Sequence, residues 1–327
     1  MKHKTIPVFV PHMGCPNDCS FCNQRKITGT DTKVTEEVVE KQIKEALITV
    51  SSDDFVEIGF FGGSFTGIER DTQNKFLKIA KKYVDSGKVN AIRLSTRPDY
   101  IDDDILKNLK SFGVTTIELG AQSMDDSVLL KNRRGHTYDD IVKASRLIKE
   151  HKISLGIQMM TGLFGDSDAT CMKSLEKILA LRPECVRIYP TLVLRDTYLH
   201  KLYEEGLYTP QTLDNAVKLC ADLKERFDEE NIPVIRIGLM TSDNINPDVD
   251  VIAGPYHPSI GELVLSEINF RRILKEIKKD AEILVNPKDI SAFVGNKKSN
   301  IEKLKSAGYS VTFKADAGIA EGSFKIL

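Results

Sequence analysis

Residues 14–22 read Gly14-Cys15-Pro16-Asn17-Asp18-Cys19-Ser20-Phe21-Cys22 and place three of the chain's six cysteines within eight residues. The spacing is Cys-x3-Cys-x2-Cys, and no fourth cysteine is close enough in the sequence to complete a local four-thiolate site. Thiolates are preferred ligands of iron–sulfur clusters and of zinc. Three thiolates on a four-iron cube leave one iron without a protein ligand, and catalytic metal sites keep such an open position. The stretch therefore predicts a catalytic metal centre.

Two other uses of these cysteines were weighed, and one of them stays open. A zinc ion held by Cys15, Cys19, Cys22 and His12 would use the same part of the chain. A disulfide with one leftover thiol is disfavoured, because the sequence has no secretory signal. The other three cysteines are scattered through predicted helices and strands, and we expect them to pack as small buried groups.

The composition is that of an ordinary globular protein, with 327 residues of which 41% are hydrophobic and 28% are charged. The formal net charge is −1, so any contact with RNA must come from a local basic patch. No run of about eighteen apolar residues is present, and the N-terminal segment is too short and too strand-like for a signal peptide. We therefore expect a cytoplasmic protein with no membrane partner.

Apolar runs that alternate with helical periodicity predict the α/β class. A helix is expected from Thr35, whose side chain is a suitable N-cap, and further helices over 76–84, 105–112, 139–150 and 170–181. Strands separated by such helices form parallel βαβ units, so the sequence predicts a partial (β/α)6 TIM-type barrel with its functional loops at the carboxyl ends of the strands. The six predicted strands are Ile6–Val10, Val56–Phe61, Ala91–Thr96, Thr116–Leu119, Ser154–Met159 and Cys185–Tyr189.

The regular alternation ends after Tyr189, which suggests three segments. We expect the barrel over residues 1–235, a C-terminal extension that packs on the barrel over 236–280, and a small α/β module over 281–327. The stretch 235–260 is rich in Pro, Gly and Asp and is expected to be an ordered loop.

Gly62-Gly63-Ser64 follows the second predicted strand directly. Glycines at such a place let backbone groups approach a ligand with no side chain in the way, although a plain turn uses the same residues.

The cysteine loop, the Gly-Gly-Ser turn and four later segments together resemble radical S-adenosylmethionine (SAM) enzymes. The resemblance is to the branch that contains the catalytic subunit of Elongator and oxygen-independent coproporphyrinogen oxidase. The resemblance covers about residues 5–280. It rests on Gly14–Cys22, Gly59–Thr66, Ser95–Tyr100, Glu118–Ser123, Arg134–Thr137 and Ala253–Pro258.

The resemblance implies a [4Fe–4S] cluster and SAM as cofactors. It assigns the cluster to Cys15, Cys19 and Cys22, and the methionyl amine of SAM to Gly62, Gly63 and Ser64. For the ribose and carboxylate of SAM it implies Ser95, Gln122, Arg134 and Gln158. Gln122 and Gln158 could instead be satisfied polar groups at strand ends, and Arg134 a solvated salt-bridge partner.

In this family the cluster cleaves SAM reductively to a 5′-deoxyadenosyl radical, which requires an external one-electron reductant. We expect this chemistry to modify RNA, either tRNA or rRNA. The alternatives are a radical SAM enzyme that acts on a small molecule or a tetrapyrrole, and a non-enzymatic iron–sulfur or zinc-binding protein. We expect the protein to lack the acetyltransferase domain of the Elongator subunit, so that either acyl-CoA is not used or a separate partner protein supplies that domain.

Residues 290–304 resemble the Gly-loop and helix of a KH-type RNA-binding module, which clamps the nucleic-acid backbone at a Gly-x-x-Gly loop. Here the second glycine is replaced by Lys298. A C-terminal basic face for RNA is therefore expected, with an ordinary solvated face as the alternative. Its other cations are Arg271, Arg272, Lys275, Lys278 and Lys279.

Overall fold

The computed structural model describes residues 3–10, 13–15, 19–23, 34–239, 245–247 and 249–327. The chain divides into two compact units. The first comprises Met1–Gln211 with Glu230–Tyr256, and the second comprises Thr212–Glu229 with His257–Leu327. The second unit thus includes residues 212–229, which the sequence had assigned to the barrel. The three predicted segments and the packing of 236–280 on the barrel stay predictions.

The first unit is built on a curled sheet of seven parallel strands in the order β1-β2-β3-β4-β5-β6-β8, which forms a half-barrel. All six predicted strands are present, so the α/β class and the partial-barrel architecture are confirmed. The strands of this sheet are His3–Phe9 (β1), Phe55–Phe61 (β2), Ala91–Thr96 (β3), Val114–Gln122 (β4), Ser154–Thr161 (β5), Cys185–Pro190 (β6) and Val234–Ile237 (β8).

The strand β8 was missed because its local sequence is a poor strand signal. It has only four residues, it includes a charged Arg236, and it stands between Pro233 and Gly238. It pairs with β6 across a register shift, so that Arg187 lies opposite Arg236. A short antiparallel pair, Val193–Leu194 (β7) and Val251–Ala253 (β9), also belongs to this unit.

Helices connect the strands and cover the outer face of the sheet, as the alternation of apolar runs predicted. Thr35 caps the first helix by accepting a 3.4 Å hydrogen bond from the amide of Val38. Strand residues such as Ile58 and Phe60 are fully buried, as expected for a sheet covered by helices. The helices are Glu36–Leu47 (α1), Arg70–Asp85 (α2), Asp103–Ser111 (α3), Asp126–Lys131 (α4), Tyr138–Glu150 (α5), Asp168–Leu181 (α6) and Tyr198–Glu204 (α7).

The second unit contains two long helices, Leu213–Glu229 (α8) and Ile260–Glu276 (α9), and a small α/β module. Its three-stranded sheet has the order β11-β10-β12, with β10 parallel to β11 and antiparallel to β12. The core contains Ile283, Phe293 and Leu304. The elements of the module are Ala281–Val285 (β10), Ile290–Val294 (α10), Ser299–Ser306 (α11), Val311–Ala315 (β11) and Phe324–Ile326 (β12).

The three cysteines outside the N-terminal loop, Cys171, Cys185 and Cys220, are all buried, as predicted. None of the helices in the described part of the chain is long and apolar enough to cross a bilayer.

Candidate active site

The end of the cysteine loop is anchored by buried hydrogen bonds to distant parts of the first unit. Ser20 is fully buried; its amide donates to the carbonyl of Asn132 over 3.1 Å, and its hydroxyl donates to Asn132 Oδ1 over 2.7 Å. The carbonyl of Ser20 accepts from the amide of Leu199 over 2.7 Å. Phe21 packs against an apolar cluster that includes Leu199 and Tyr208. These contacts hold the loop between the end of α4 and the start of α7.

The turn Gly62-Gly63-Ser64, which follows β2, needs its glycines because its backbone packs closely against the cysteine loop. A Cβ atom on Gly63 would lie 2.6 Å from the carbonyl oxygen of Met13, and one on Gly14 would lie 2.2 Å from that of Ser64. The amide of Ser64 donates to the carbonyl of Met13 over 3.2 Å. Gly62 has φ of +99°, which a side chain would strain. The turn and the loop therefore meet with no room for side chains between them.

A group of buried hydroxyls ties this turn to the end of β3. The hydroxyl of Thr96 lies 2.9 Å from that of Ser64 and also contacts the hydroxyl of Thr66. The amide of Arg97 donates to Ser64 Oγ over 3.2 Å. Sequence reasoning assigned Ser64 to SAM but gave Thr96 no role; its position at the carboxyl end of a strand was the available signal.

The thiols lie beside a buried guanidinium. Arg134 Nη1 donates to Cys19 Sγ over 3.0 Å, and Arg134 Nη2 donates to the carbonyl of Gly120 over 2.7 Å. The Arg134 side chain is buried, so a solvated surface salt bridge does not describe it. Burial, followed by the neighbouring Cys19 thiol, raises the pKa of Cys15, while Arg97 and Arg134 act in the opposite direction. The site is thus set up with positive charge beside its sulfur atoms.

Among the described residues, no three His, Cys, Asp or Glu side chains converge as ligands of one metal ion. His12, the fourth ligand of the zinc alternative, lies outside the described residues.

Gln122 and Arg134 converge over Gly120. A Cβ atom on Gly120 would lie 3.1 Å from Gln122 Nε2 and 3.5 Å from Arg134 Nη2. Gln122 has φ of +67° at a register shift near the end of β4. Its buried Oε1 has no hydrogen-bond partner in the described chain, so this acceptor is available to a bound ligand. The open acceptor thus belongs to a side chain that lies near the Arg134 guanidinium.

Ser95 and Gln158 lie together on the inner face of the barrel. Gln158 Nε2 donates to Ser95 Oγ and to Glu118 Oε2, both over 2.9 Å. Glu118 is itself paired with Arg93 and Arg187. Gln158 is therefore already engaged within the protein, as the alternative reading of a satisfied polar group expects, and its ribose role stays a prediction.

His136 is a further residue of this region to which the sequence gave no role. It is buried, its Nε2 lies 3.3 Å from the carbonyl of Ala121, and its Nδ1 has no hydrogen-bond partner in the described chain. Burial, assisted by the nearby Arg134 and Arg97, lowers the pKa of His136 to about 4. The imidazole is therefore neutral at pH 7.

Not all of the C-terminal cations that were predicted to form a basic face are free to contact RNA. Arg271 is enclosed by acids: it lies 2.5 Å from Asp222, 3.2 Å from Glu225 and 3.0 Å from Glu267. Arg272 donates to the carbonyl of Gly322 over 2.8 Å. These two residues are therefore engaged within the second unit. The cations that remain exposed are Lys275, Lys278, Lys279, Lys297 and Lys298.

Comparison with known families gives the class of this protein. The model of the radical SAM superfamily matches residues 9–178, and that of the radical SAM C-terminal domain matches residues 183–269. The chain belongs to the radical SAM superfamily and is an enzyme, and this membership implies a [4Fe–4S] cluster and SAM as cofactors.

Several similar proteins come from the Elongator branch. The chain is 26% identical to a tRNA uridine(34) acetyltransferase of Methanocaldococcus infernus, over 64% of this chain and 42% of the relative. It is also 26% identical to the Dehalococcoides mccartyi protein of that name, over 76% and 60%. It is 28% identical to human Elongator complex protein 3, over 52% and 35%. The chain thus spans less than two thirds of the length of these relatives.

Solved structures show the same fold. Archaeal Methanocaldococcus infernus Elp3 aligns with a TM-score of 0.66 at 22% identity, over 84% of this chain and 63% of that chain. Coproporphyrinogen III oxidase (HemN) from Escherichia coli aligns with a TM-score of 0.51 at 16% identity, over 70% and 53%. The resemblance to this branch that the sequence predicted is confirmed.

Proposed function

We propose that this protein cleaves SAM reductively with a [4Fe–4S] cluster held by Cys15, Cys19 and Cys22, and that its substrate is RNA. The observation that carries the first part is the contact between Cys19 and Arg134, which brings a guanidinium to the thiols and next to the open acceptor of Gln122. When bound, cluster and SAM together supply a 5′-deoxyadenosyl radical that abstracts hydrogen from the substrate.

The residues of the chain bind and orient these cofactors. The three thiolates would hold the cluster, and the backbone of Gly62, Gly63 and Ser64 would contact the methionyl group. Arg134 is suited to a carboxylate because its planar guanidinium can donate two parallel hydrogen bonds. Gln122 Oε1 can accept a hydrogen bond from a hydroxyl or amine. Ser95 and Gln158 would contribute hydroxyl and amide groups from the barrel interior.

The RNA part of the proposal is supported by the names of the relatives, which include tRNA uridine(34) acetyltransferases. It is also supported by the turn at residues 295–298, which joins α10 to α11 as the Gly-loop joins two helices in a KH module. Lys297 and Lys298 are exposed on this turn with φ of +51° and +64°, where lysine ammonium groups can contact phosphates.

The first experiment is SAM cleavage by protein reconstituted anaerobically with iron and sulfide and reduced with dithionite. 5′-Deoxyadenosine and methionine are quantified with and without total cellular RNA. We expect turnover that RNA increases and that the Cys19→Ala variant lacks.

Each other outcome selects an alternative. Turnover indifferent to RNA would keep the enzyme class and direct the search to a small molecule or a tetrapyrrole. Protein that binds a full cluster but produces no 5′-deoxyadenosine, with or without RNA, would contradict the proposed cleavage of SAM.

A further inference from the structure

Four charged side chains on the inner face of the half-barrel form a balanced network. Glu118 lies 2.6 Å from Arg93 Nη1 and 2.7 Å from Arg187 Nε, and Arg93 Nε lies 2.8 Å from Glu57. Although burial alone would raise it, the pKa of Glu118 is lowered by Arg187 and Arg93, so the carboxylate stays ionised. Two carboxylates therefore neutralise two guanidinium groups.

Arg236 adds a fifth charge that this network does not balance. It lies opposite Arg187 in the register of β6 and β8, and partners on parallel strands point to the same face, so Arg236 faces the barrel interior. Its hydrogen bond runs from Nε to the carbonyl of Gly238 over 3.2 Å. No carboxylate of the described chain pairs with it. Burial, followed by repulsion from Arg187, lowers the pKa of Arg236.

A phenol on the neighbouring strand faces the same side of the sheet as this guanidinium. Tyr189 lies two residues after Arg187 on β6 and therefore projects to the same inner face. It interacts electrostatically with both Arg187 and Arg236. Burial raises the pKa of Tyr189, so its hydroxyl is protonated at neutral pH. Arg236 and Tyr189 thus present hydrogen-bond donors and one surplus positive charge.

We propose that Arg236 and Tyr189 bind an oxyanion of the substrate, a phosphate or a carboxylate, inside the barrel. A half-buried guanidinium without a carboxylate is costly unless an anion joins it, and its planar fork matches both oxyanions. Because β8 is parallel to the other strands, its carboxyl end, which Arg236 is near, points to the same side of the sheet as the carboxyl end of β1, where the cysteine loop begins. An anion bound there would orient the rest of the substrate toward the cluster site.

The test uses cluster-loaded protein and two probes, methylphosphonate for the phosphate arm and acetate for the carboxylate arm. Binding is followed by saturation transfer to their methyl protons in NMR, at ionic strength held constant with chloride. We expect saturable binding of at least one probe, weakened at least tenfold in Arg236→Gln and less in Arg236→Lys. The control is Arg146→Gln, because Arg146 is a surface residue of α5 paired with Glu150.

Stability gives a second measurement. If Arg236 is a binding group, Arg236→Gln relieves repulsion with Arg187, so its urea midpoint should equal or exceed that of the wild type, and the probe should raise the midpoint of the wild type alone. Unchanged probe binding in Arg236→Gln, no saturable binding to the wild type, or a large loss of stability in the variant would each overturn the proposal. Because no readout involves SAM cleavage or RNA, this result is independent of the proposed function.

Discussion

The hydroxyl oxygens of Ser64 and Thr96 lie 2.9 Å apart, and both side chains are buried. This hydrogen bond joins the Gly-Gly-Ser turn to the carboxyl end of β3, so the turn that packs against the cysteine loop is fixed from both sides. Thr96 also contacts Thr66, which makes one hydroxyl the shared partner of two others.

Replacing Thr96 by valine should therefore loosen the SAM site. Thr96→Val keeps the volume of the side chain but leaves the Ser64 and Thr66 hydroxyls short of a partner, at a cost of about 1–3 kcal/mol in the free energy of unfolding. We expect this loss in urea denaturation, together with weaker SAM binding by calorimetry. Thr96→Ser retains the hydroxyl and should stay near the wild type; equal losses in both variants would contradict the role given to the hydroxyl.

Loss of the Glu118 charge should be strongly destabilising. Glu118 is 1% exposed and pairs with Arg93 and Arg187, so Glu118→Gln leaves two buried guanidinium groups with too little negative charge. The expected loss in the free energy of unfolding is about 3–5 kcal/mol. Urea denaturation measures it, with the surface variant Glu150→Gln as the control. A loss below 1 kcal/mol would show that the network is not maintained in solution.

The same carboxylate predicts a pH dependence. The pKa of Glu118 is lowered in the folded state, so its stabilising contribution is present above the unfolded pKa of about 4.3 and is lost as the pH falls through the folded pKa.

His136 makes the stability depend on pH over a higher pH range than Glu118 does. Its folded pKa of about 4 lies below the unfolded value of about 6.5, so the unfolded state binds more protons between these values and stability falls as the pH is lowered from 6.5 to 4.

Substitution of His136 should make the free energy of unfolding less dependent on pH over this higher pH range. The slope attributable to His136 is about 1.4 kcal/mol per pH unit at most. We expect the free energy of unfolding of His136→Gln to change less between pH 6.5 and 4.5 than that of the wild type. Parallel curves for the two proteins would refute the assigned burial effect.

Iron binding should depend on the N-terminal cysteines alone. After anaerobic reconstitution, Cys19→Ala should contain little iron and sulfide and should lack most of the visible absorbance of the cluster. The reason is that two thiolates do not hold a four-iron cube stably. Cys220→Ala removes a buried thiol of α8 and should retain the iron content of the wild type. Equal iron in both variants would exclude Cys19 as a ligand.

Lys298 should show opposite effects on stability and on RNA binding. A lysine at φ of +64° is strained by about 1–2 kcal/mol, and glycine at this position removes the strain. Glycine also makes the unfolded chain more flexible, which lowers the gain in stability by about 0.5–1 kcal/mol. Lys298→Gly should therefore be more stable by roughly 0.5–1 kcal/mol. If the Lys298 ammonium contacts a phosphate, the same variant should bind RNA more weakly. The slope of the logarithm of the binding constant against the logarithm of the salt concentration should then be reduced by about 1.

The matched control for this position is Lys298→Gln, which removes the charge but keeps the side chain. It should lose RNA affinity without gaining stability. Unchanged RNA affinity in both variants would argue against the turn at residues 295–298 as a phosphate clamp.

Much of the fold could be read from local patterns. The alternation of apolar runs and helical segments predicted six of the seven strands of the half-barrel, and Ala91–Thr96 has the predicted bounds. The strand β8 escaped because four residues with a central charge carry little periodicity. The cysteine spacing and the Gly-Gly turn indicated the superfamily, since cluster ligands from one short loop leave a signature in the sequence itself.

The sequence by itself determined the order of the elements and the three candidate cluster ligands, because periodicity and spacing act over a few residues. Its resemblance to a known family implied the class of cofactor. Only the tertiary structure decided which distant side chains meet. Arg134 reaches Cys19 across 115 positions, and Arg236 comes opposite Arg187 through the register of two strands. Such contacts depend on strand register and on the curl of the sheet, which arise from the packing of the whole unit and not from any local stretch.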